Sequence, residues 1–351
     1  MKKRASFLII PVILFAGYLG MEKSFAVAEE ETQETPPKFY DVNKGDTYYV
    51  SISKLREWDI IEGYEDGTFK PSQRINRAEA LKMITLSTGV FTEEEMEAEP
   101  EPSEEYEADP SEESAENDNN SESEEPVAEE SIPPFPDTPL DAWYTKYLSA
   151  AKELEIIHGH PDGTFRPSDE INLAETLKIL FESMLTQTEL DMERTKEYLY
   201  EDTPEDAWFS TYTSYAGAIG IINIYPSNTV NPSQKMSRGY LAEVMYRAIM
   251  SQEGYEFGKA TWYGGVFQGN TTASGEIFDK NELTAAHKYL PFNSVVEVTN
   301  LANGESVEVR ITDRGPYGPG RVIDLSSEAF SRIASLGAGV INVQYKVVQH
   351  P

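Results

Sequence analysis

The chain has 351 residues, with 29 Lys and Arg against 61 Asp and Glu, a net charge of −32. An excess of anionic side chains this large speaks against attraction to nucleic acid phosphates or to an anionic membrane surface. The absence of cysteine removes disulfides, thiolate nucleophiles and Cys-ligated zinc, and four histidines leave little for a multi-histidine metal site.

In chain order, residues 1–28 read as an export signal. Lys2, Lys3 and Arg4 form a basic head, residues 5–20 are almost wholly apolar, and Ala26-Val27-Ala28 supplies small residues at a cleavage site. Cleavage after Ala28 is expected, leaving an exported protein on the cell surface or in the wall, with no membrane partner. Residues 93–130 hold 19 acidic residues and no Lys or Arg. Self-repulsion and the lack of apolar residues predict a disordered acidic linker over 91–131.

A repeat lies on either side of that linker. Residues 55–71 and 151–167 share an Ile-Ile pair, a Gly, an Asp-Gly-Thr-Phe turn and a Pro at an offset of 96. A weaker third copy follows a further 65 residues on, with Ser227-Asn-Thr-Val230 at the turn. Each copy reads as a helix, a turn and a second helix, too small to fold alone but able to share a core with its neighbours. Asn76 with Glu79, and Asn172 with Glu175, have capping-box spacing; in the third copy Ser237 supplies only the cap. His158-Gly-His160 lacks a third ligand nearby, and no metal or other cofactor is expected.

These residues resemble the S-layer homology repeat over 37–90, 132–187 and 197–251. The motifs that carry the resemblance are Phe39-Tyr-Asp-Val42, Phe135-Pro-Asp-Thr138, Asp141-Ala-Trp-Tyr144, Asp206-Ala-Trp-Phe209 and Ile75-Asn-Arg-Ala-Glu79. The resemblance implies an all-α three-repeat domain that binds secondary cell-wall polysaccharide. The family's anion-binding arginine falls on Arg77 and Arg238, while the second repeat carries Leu173. Trp143 and Trp208 read either as core or groove-wall aromatics or as sugar platforms.

Beyond residue 256 the character changes. Residues 258–351 carry eight basic and nine acidic residues, and β patterning dominates. Residues 294–300 and 306–312 read as paired strands about a tight Asn303-Gly304 turn, 326–334 as a short helix and 340–348 as a last strand. Three ionisable groups stand beside Gly or small residues: Glu276 after Gly275, His287 after Ala285-Ala286, and Asp313 beside Arg314. Carboxylates gathered in a cleft can divide the work of proton donor and anion, as glycosidic cleavage requires. An Asp313–Arg314 ion pair, a turn-capping Glu276 and a satisfied barrel histidine are the structural alternatives.

The order of Gly258-Lys-Ala-Thr-Trp-Tyr-Gly264, Thr272-Ala-Ser-Gly-Glu276, Leu283-Thr-Ala-Ala-His-Lys-Tyr-Leu-Pro-Phe292, Arg310-Ile-Thr-Asp-Arg-Gly-Pro-Tyr317 and Gly320-Arg-Val-Ile-Asp-Leu-Ser326 resembles the rare lipoprotein A family. The resemblance implies a small six-stranded double-psi β-barrel over 256–351. It further implies a lytic transglycosylase that cleaves the MurNAc–GlcNAc β-1,4 bond of peptide-poor peptidoglycan strands, leaving 1,6-anhydro-MurNAc ends. Asp313 is expected to be the proton donor, Glu276 to assist, and His287 to orient or tune the pair. Trp262, Tyr263 and Arg314 are candidates for substrate binding, with core packing the equal alternative for the two aromatics. The other reading is a non-catalytic, expansin-like glycan binder that loosens the wall.

Overall fold

The computed structural model describes residues 38–91, 132–184 and 200–351. Residues 1–37, which include the expected export signal, residues 92–131, which hold most of the expected acidic linker, and residues 185–199 lie outside the described residues.

Six helices form three successive pairs: α1 (Tyr49–Glu57) with α2 (Arg77–Ser87), α3 (Thr145–Glu153) with α4 (Leu173–Ser183), and α5 (Ser210–Ala218) with α6 (Arg238–Gln252). The capping arithmetic holds. Asn76 accepts the Glu79 N–H at 2.8 Å and Asn172 the Glu175 N–H at 2.9 Å, and each glutamate returns to its cap. Ser237 caps α6 alone.

One carboxylate clamps the turn inside each pair. Asp41 accepts the N–H groups of Phe69 and Lys70, both at 2.7 Å. Asp137 does the same for Phe165 and Arg166, and Asp202 for Val230 and Asn231. The second residue of each clamp lies at positive φ: Lys70 at 58°, Arg166 at 60° and Asn231 at 54°. Such a conformation is unfavourable for Lys and Arg, and the paired charge-assisted bonds offset it.

The three pairs close on one another through a ring of backbone bonds. Ile75 N–H donates to Met236, Met236 to Ile171, and Ile171 back to Ile75, at 2.9–3.2 Å. Short β-bridges flank this ring, so the helical domain carries a small β element at its centre. Phe69, Phe165, Ile75, Ile171 and Met236 are fully buried around it.

Strands β1 (Glu256–Tyr263), β2 (Thr284–His287), β3 (Val295–Asn300), β4 (Ser306–Asp313), β5 (Arg321–Ser326) and β6 (Val340–Gln349) close into a barrel in the order β1-β5-β2-β4-β3-β6. The β1–β5 and β2–β4 pairs are parallel and the others antiparallel. Alternate residues point inward, as period two requires: Ala260, Ala285, Val296, Val298, Ile311, Ile323, Leu325 and Val343 make the barrel core. Helix α7 (Ser327–Ile333) adds Phe330 and Ile333. The β3–β4 connection is wider than the tight turn read from Asn303-Gly304. Thr299 pairs with Ser306, and the Gly304 N–H reaches back to Asn300 at 2.8 Å.

Helices and barrel share a seam. Phe257 and Leu301 leave the barrel and join the helical core. Tyr246 donates to Gln344 at 2.8 Å, Gly45 N–H to Ala302 at 2.7 Å and Val50 N–H to Leu301 at 3.2 Å. Gly220, at φ 75°, brings its backbone so near that a Cβ would stand 2.7 Å from the Phe257 carbonyl. Only glycine fits there.

Candidate active site

The site forms on the outer wall of the barrel, where β4, β2 and β5 lie side by side. Ala285 pairs with Leu325 in the core, so the next residues, Ala286 and Asp324, face outward. A register shift in β2–β4 after Ala285 sets Ala286 opposite Asp313. Two carboxylates therefore flank an alanine floor: Asp313 on one side and Asp324 on the other. With strands about 4.8 Å apart, their backbones are about 10 Å apart.

Asp313 is fixed by its Oδ1, which accepts the N–H of Ala273 at 2.9 Å and of Arg314 at 2.8 Å. The bond from Ala273 belongs to the loop that carries Glu276. Ser274 N–H also donates to the Thr312 carbonyl at 3.1 Å, so the loop is strapped across the end of β4. Glu276 accepts a bidentate pair of bonds from Arg310, at 2.7 and 2.9 Å. Those bonds hold its carboxyl below the usual range, so Glu276 is an anion. Asp324 pairs with Arg321 at 2.8 Å, and Arg321 also donates to Thr261. The turn after Asp313 passes over Asp324; Gly315 sits at φ 136° with its Cβ position 3.9 Å from Asp324 Oδ2.

Arg314 does not pair with the Asp313 carboxylate. Its guanidinium lies 3.7 Å over the Phe292 ring and donates to the His287 carbonyl at 3.3 Å. The ion-pair alternative is set aside, because the Asp313 carboxylate takes the Arg314 backbone N–H, while the guanidinium reaches only the Asp313 main-chain carbonyl, at 3.4 Å.

His287 is placed differently from the expectation. Its ring points into the barrel and is 6% exposed. Nδ1 accepts the N–H groups of Tyr289 and Leu290, at 3.2 and 3.0 Å, so the ring proton sits on Nε2 and is donated to Tyr345 at 3.1 Å. Tyr345 in turn donates to Glu256. Burial, assisted by Lys288 and Arg314, pushes the imidazole down to about 4, so the ring is neutral. Neither ring nitrogen bonds Asp313 or Glu276. His287 pins the turn that follows β2, and through its carbonyl holds Arg314.

Tyr263 takes the core-packing alternative. Its ring stacks on Phe278 at 4.5 Å, and its buried hydroxyl lies near those of Thr284 and Thr312. Burial, then the Asp313 charge, pushes the phenol up. Its ring packs between Phe267 and Phe278, and its hydroxyl lies by Thr312, the chain neighbour of Asp313. Trp262 remains 37% exposed, with its indole N–H donated to Leu336 at 3.0 Å.

Two members of this wall, Asp324 and Arg310, have no role among the sequence-based candidates. Asp324 is marked only as a carboxylate between Ile323 and Leu325 in an apolar strand. Arg310 carries no local signal, since its pairing with Glu276 spans 34 residues. Among the described residues no group of three or more His, Asp or Glu is set to hold a metal.

In the helical domain Arg77 and Arg238 are buried and equivalent. Each Nε donates at 2.9 Å to a carbonyl of the neighbouring pair, Phe165 for Arg77 and Phe69 for Arg238. Each guanidinium stacks 4.7 Å from that phenylalanine ring. Arg77 also meets Glu175 at 3.3 Å. Both therefore join one pair to the next. Replacing Arg238 by Met should lower stability by about 1–3 kcal/mol, the cost of stranding buried carbonyls, read as a lower denaturant midpoint. Trp143 and Trp208 are about half exposed and make matching T-shaped ledges, with Tyr144 and with Phe209, both at 5.4 Å.

Residues 255–345 match the lytic transglycolase family model. Residues 38–81 and 134–177 match the S-layer homology domain. The matched barrel region is similar to the endolytic peptidoglycan transglycosylase RlpA of Vibrio cholerae, 50% identical over 104 residues, 29% of this chain and 40% of that protein. A probable endolytic peptidoglycan transglycosylase RlpA of Synechocystis is 56% identical over 92 residues, 26% of this chain and 29% of that protein. That of Aquifex aeolicus is 42% identical over 114 residues, 32% of this chain and 50% of that protein. The chain thus spans half or less of the length of these relatives. The third helix pair lies outside the stretches matched to the S-layer homology domain, and its Asp202 clamp repeats theirs.

Proposed function

We propose that the barrel is a lytic transglycosylase acting on peptidoglycan glycan strands. The observation that carries this is the match of residues 255–345 to the lytic transglycolase family, together with carboxylates gathered on one outer wall. Asp313 gives a proton to the oxygen bridging MurNAc and GlcNAc as the bond from C1 breaks. The C6 hydroxyl of the same MurNAc attacks C1, closing the 1,6-anhydro ring. Its proton returns to the Asp313 carboxylate. One bond breaks, one forms, no water enters, and the acid is restored. Glu276, kept anionic by Arg310, stabilises the positive charge that develops at C1. Tyr263 packs beside Thr312 at the end of β4, His287 holds the turn that orients Arg314, and exposed Trp262 offers a sugar-stacking face.

The helical domain is proposed to hold the enzyme on secondary cell-wall polysaccharide, with Trp143 and Trp208 as contact faces and Arg77 and Arg238 framing the grooves between pairs. This reading places the protein at the wall of the cell surface after export. The third pair is proposed as a third S-layer homology repeat and residues 91–131 as an acidic linker.

The test is digestion of peptide-free strands. Cleavage that is lost in Asp313→Asn supports the reading, and retention of strands without cleavage would favour the expansin-like binder. A finer check concerns Glu276. Because it works as an anion, activity falls as pH drops through its pKa. Arg310→Gln removes the group that depresses that pKa, so the acidic limb of the pH–rate profile should move to higher pH. An unmoved limb would remove Glu276 from the mechanism.

A further inference from the structure

Asp313 and Arg314 are consecutive, and each keeps part of its side chain out of every internal bond. Asp313 uses Oδ1 for the N–H groups of Ala273 and Arg314, and its Oδ2 has no partner among the described residues. Arg314 uses only Nη1, which donates to the carbonyls of His287 at 3.3 Å and Asp313 at 3.4 Å. Its Nε and Nη2 have no partner among the described residues, and neither is buried.

The guanidinium is nevertheless held in place. It lies 3.7 Å over the Phe292 ring, which packs against the barrel core. His287, whose carbonyl it bonds, is itself fixed by the N–H groups of Tyr289 and Leu290.

Arg314 also stands apart from the other arginines of the barrel. Arg310 pairs with Glu276, Arg321 with Asp324 and Arg332 with Glu328. Arg314 makes no ion pair among the described residues, and neither does Lys288. Both charges act on the His287 ring, so two unneutralised cations gather just past the ends of β2 and β4. This happens in a chain with 61 acidic residues against 29 basic ones. An arginine fixed by a ring and two carbonyls, with no carboxylate on it, is available to an anion from outside.

The edge formed by Nε and Nη2 carries two parallel N–H groups and takes a carboxylate through two bonds. Along a peptidoglycan strand the sugar that carries one is MurNAc. The lactyl group on its O3 is an ionised carboxylate when no stem peptide is attached, and an uncharged amide when one is. MurNAc is also the sugar whose C1 reacts at Asp313.

We infer that the Nε–Nη2 edge of Arg314, with Lys288 adding charge, binds the free lactyl carboxylate of the MurNAc that reacts at Asp313, and so reads whether the strand carries stem peptides there. The inference rests on the glycan-strand reading of the barrel. A stem peptide sets a neutral amide against the guanidinium, and the paired charge-assisted bonds are lost.

The test compares three substrates of the full chain: peptide-free strands, the same strands with their lactyl carboxylates converted to methylamides, and strands that keep their stem peptides. Cleavage gives kcat/KM, and titration calorimetry gives Kd. For wild type, kcat/KM should be about tenfold or more higher on free carboxylates than on methylamides, the worth of one charge-assisted pair, with peptide-bearing strands as poor as methylamides. Arg314→Gln should bring the ratio of free carboxylate to methylamide close to one, and Arg314→Lys, which keeps the charge without the fork, should retain only part of it. Equal rates of wild type on free carboxylates and methylamides would overturn the inference without any variant. So would a ratio preserved in Arg314→Gln, or peptide-bearing strands cleaved as well as peptide-free ones. Strands that are never cleaved, but bind more weakly as methylamides to wild type and equally to Arg314→Gln, would leave the Arg314 site standing and remove the transglycosylase reading. Failure of wild type to bind any strand would remove both.

Discussion

Asp313→Asn should leave the barrel folded and lower strand cleavage by about a hundredfold or more, the usual worth of a positioned acid–base group. Oδ1 of Asp313 serves the structure, accepting the N–H groups of Ala273 and Arg314. An asparagine of the same shape keeps an acceptor there and loses only the exchangeable proton. Thermal melting close to that of wild type, with cleavage abolished, is the expected pair of results. A melting temperature that fell with activity would mean that Asp313 is a strap for the 272–276 loop and no acid.

The second large effect concerns His287 and is one of stability. A histidine that titrates at its ordinary 6.5 when unfolded and at about 4 in the barrel is neutral in the fold. Above pH 6.5 both states are neutral there and the group adds no pH dependence. Between about 6.5 and 4 the unfolded chain takes up the proton first, so stability falls as the solution is acidified. Below about 4 both states are protonated and the loss levels off near 3 kcal/mol, roughly. His287→Ala should abolish that slope. It should also cost about 2–4 kcal/mol at neutral pH, because Tyr289 and Leu290 lose their acceptor, Tyr345 loses its donor and a cavity opens. Denaturant unfolding at pH 7.5, 5.5 and 4.5 for both proteins checks the two parts together. A wild-type stability independent of pH over this window would show that the ring is not held neutral.

Much of this was legible in residue order, and for identifiable reasons. Local rules carried the helix starts: Asn76 with Glu79 and Asn172 with Glu175 are three residues apart, and the capping boxes form as read. Alternation carried the strands, since Val296, Val298, Val307, Val309 and Ile311 fall on one face. The offset of 96 residues aligned two turns whose clamps, Asp41 and Asp137, then proved identical. What was hidden depends on contacts far apart in the chain. The Arg310–Glu276 pair, the shift that sets Asp313 opposite Ala286, and the inward turn of His287 follow from barrel closure, which no local spacing encodes. The wide β3–β4 turn is of the same kind: Asn300 and Asn303 bond the Ile333 carbonyl across the barrel, and this outweighs the local preference of Asn-Gly for a tight turn. The seam between helices and barrel was not visible either, because Phe257 in β1 and Leu301 just after β3 look like ordinary barrel residues until the helical core is seen to absorb them.

The most direct measurement is a digest of peptide-free peptidoglycan strands by the purified chain, read by mass spectrometry. The account predicts fragments ending in 1,6-anhydro-MurNAc, lighter by one water than hydrolytic ends, and none from Asp313→Asn. Fragments with ordinary reducing ends would show that water and not the C6 hydroxyl attacks C1, and would contradict the mechanism.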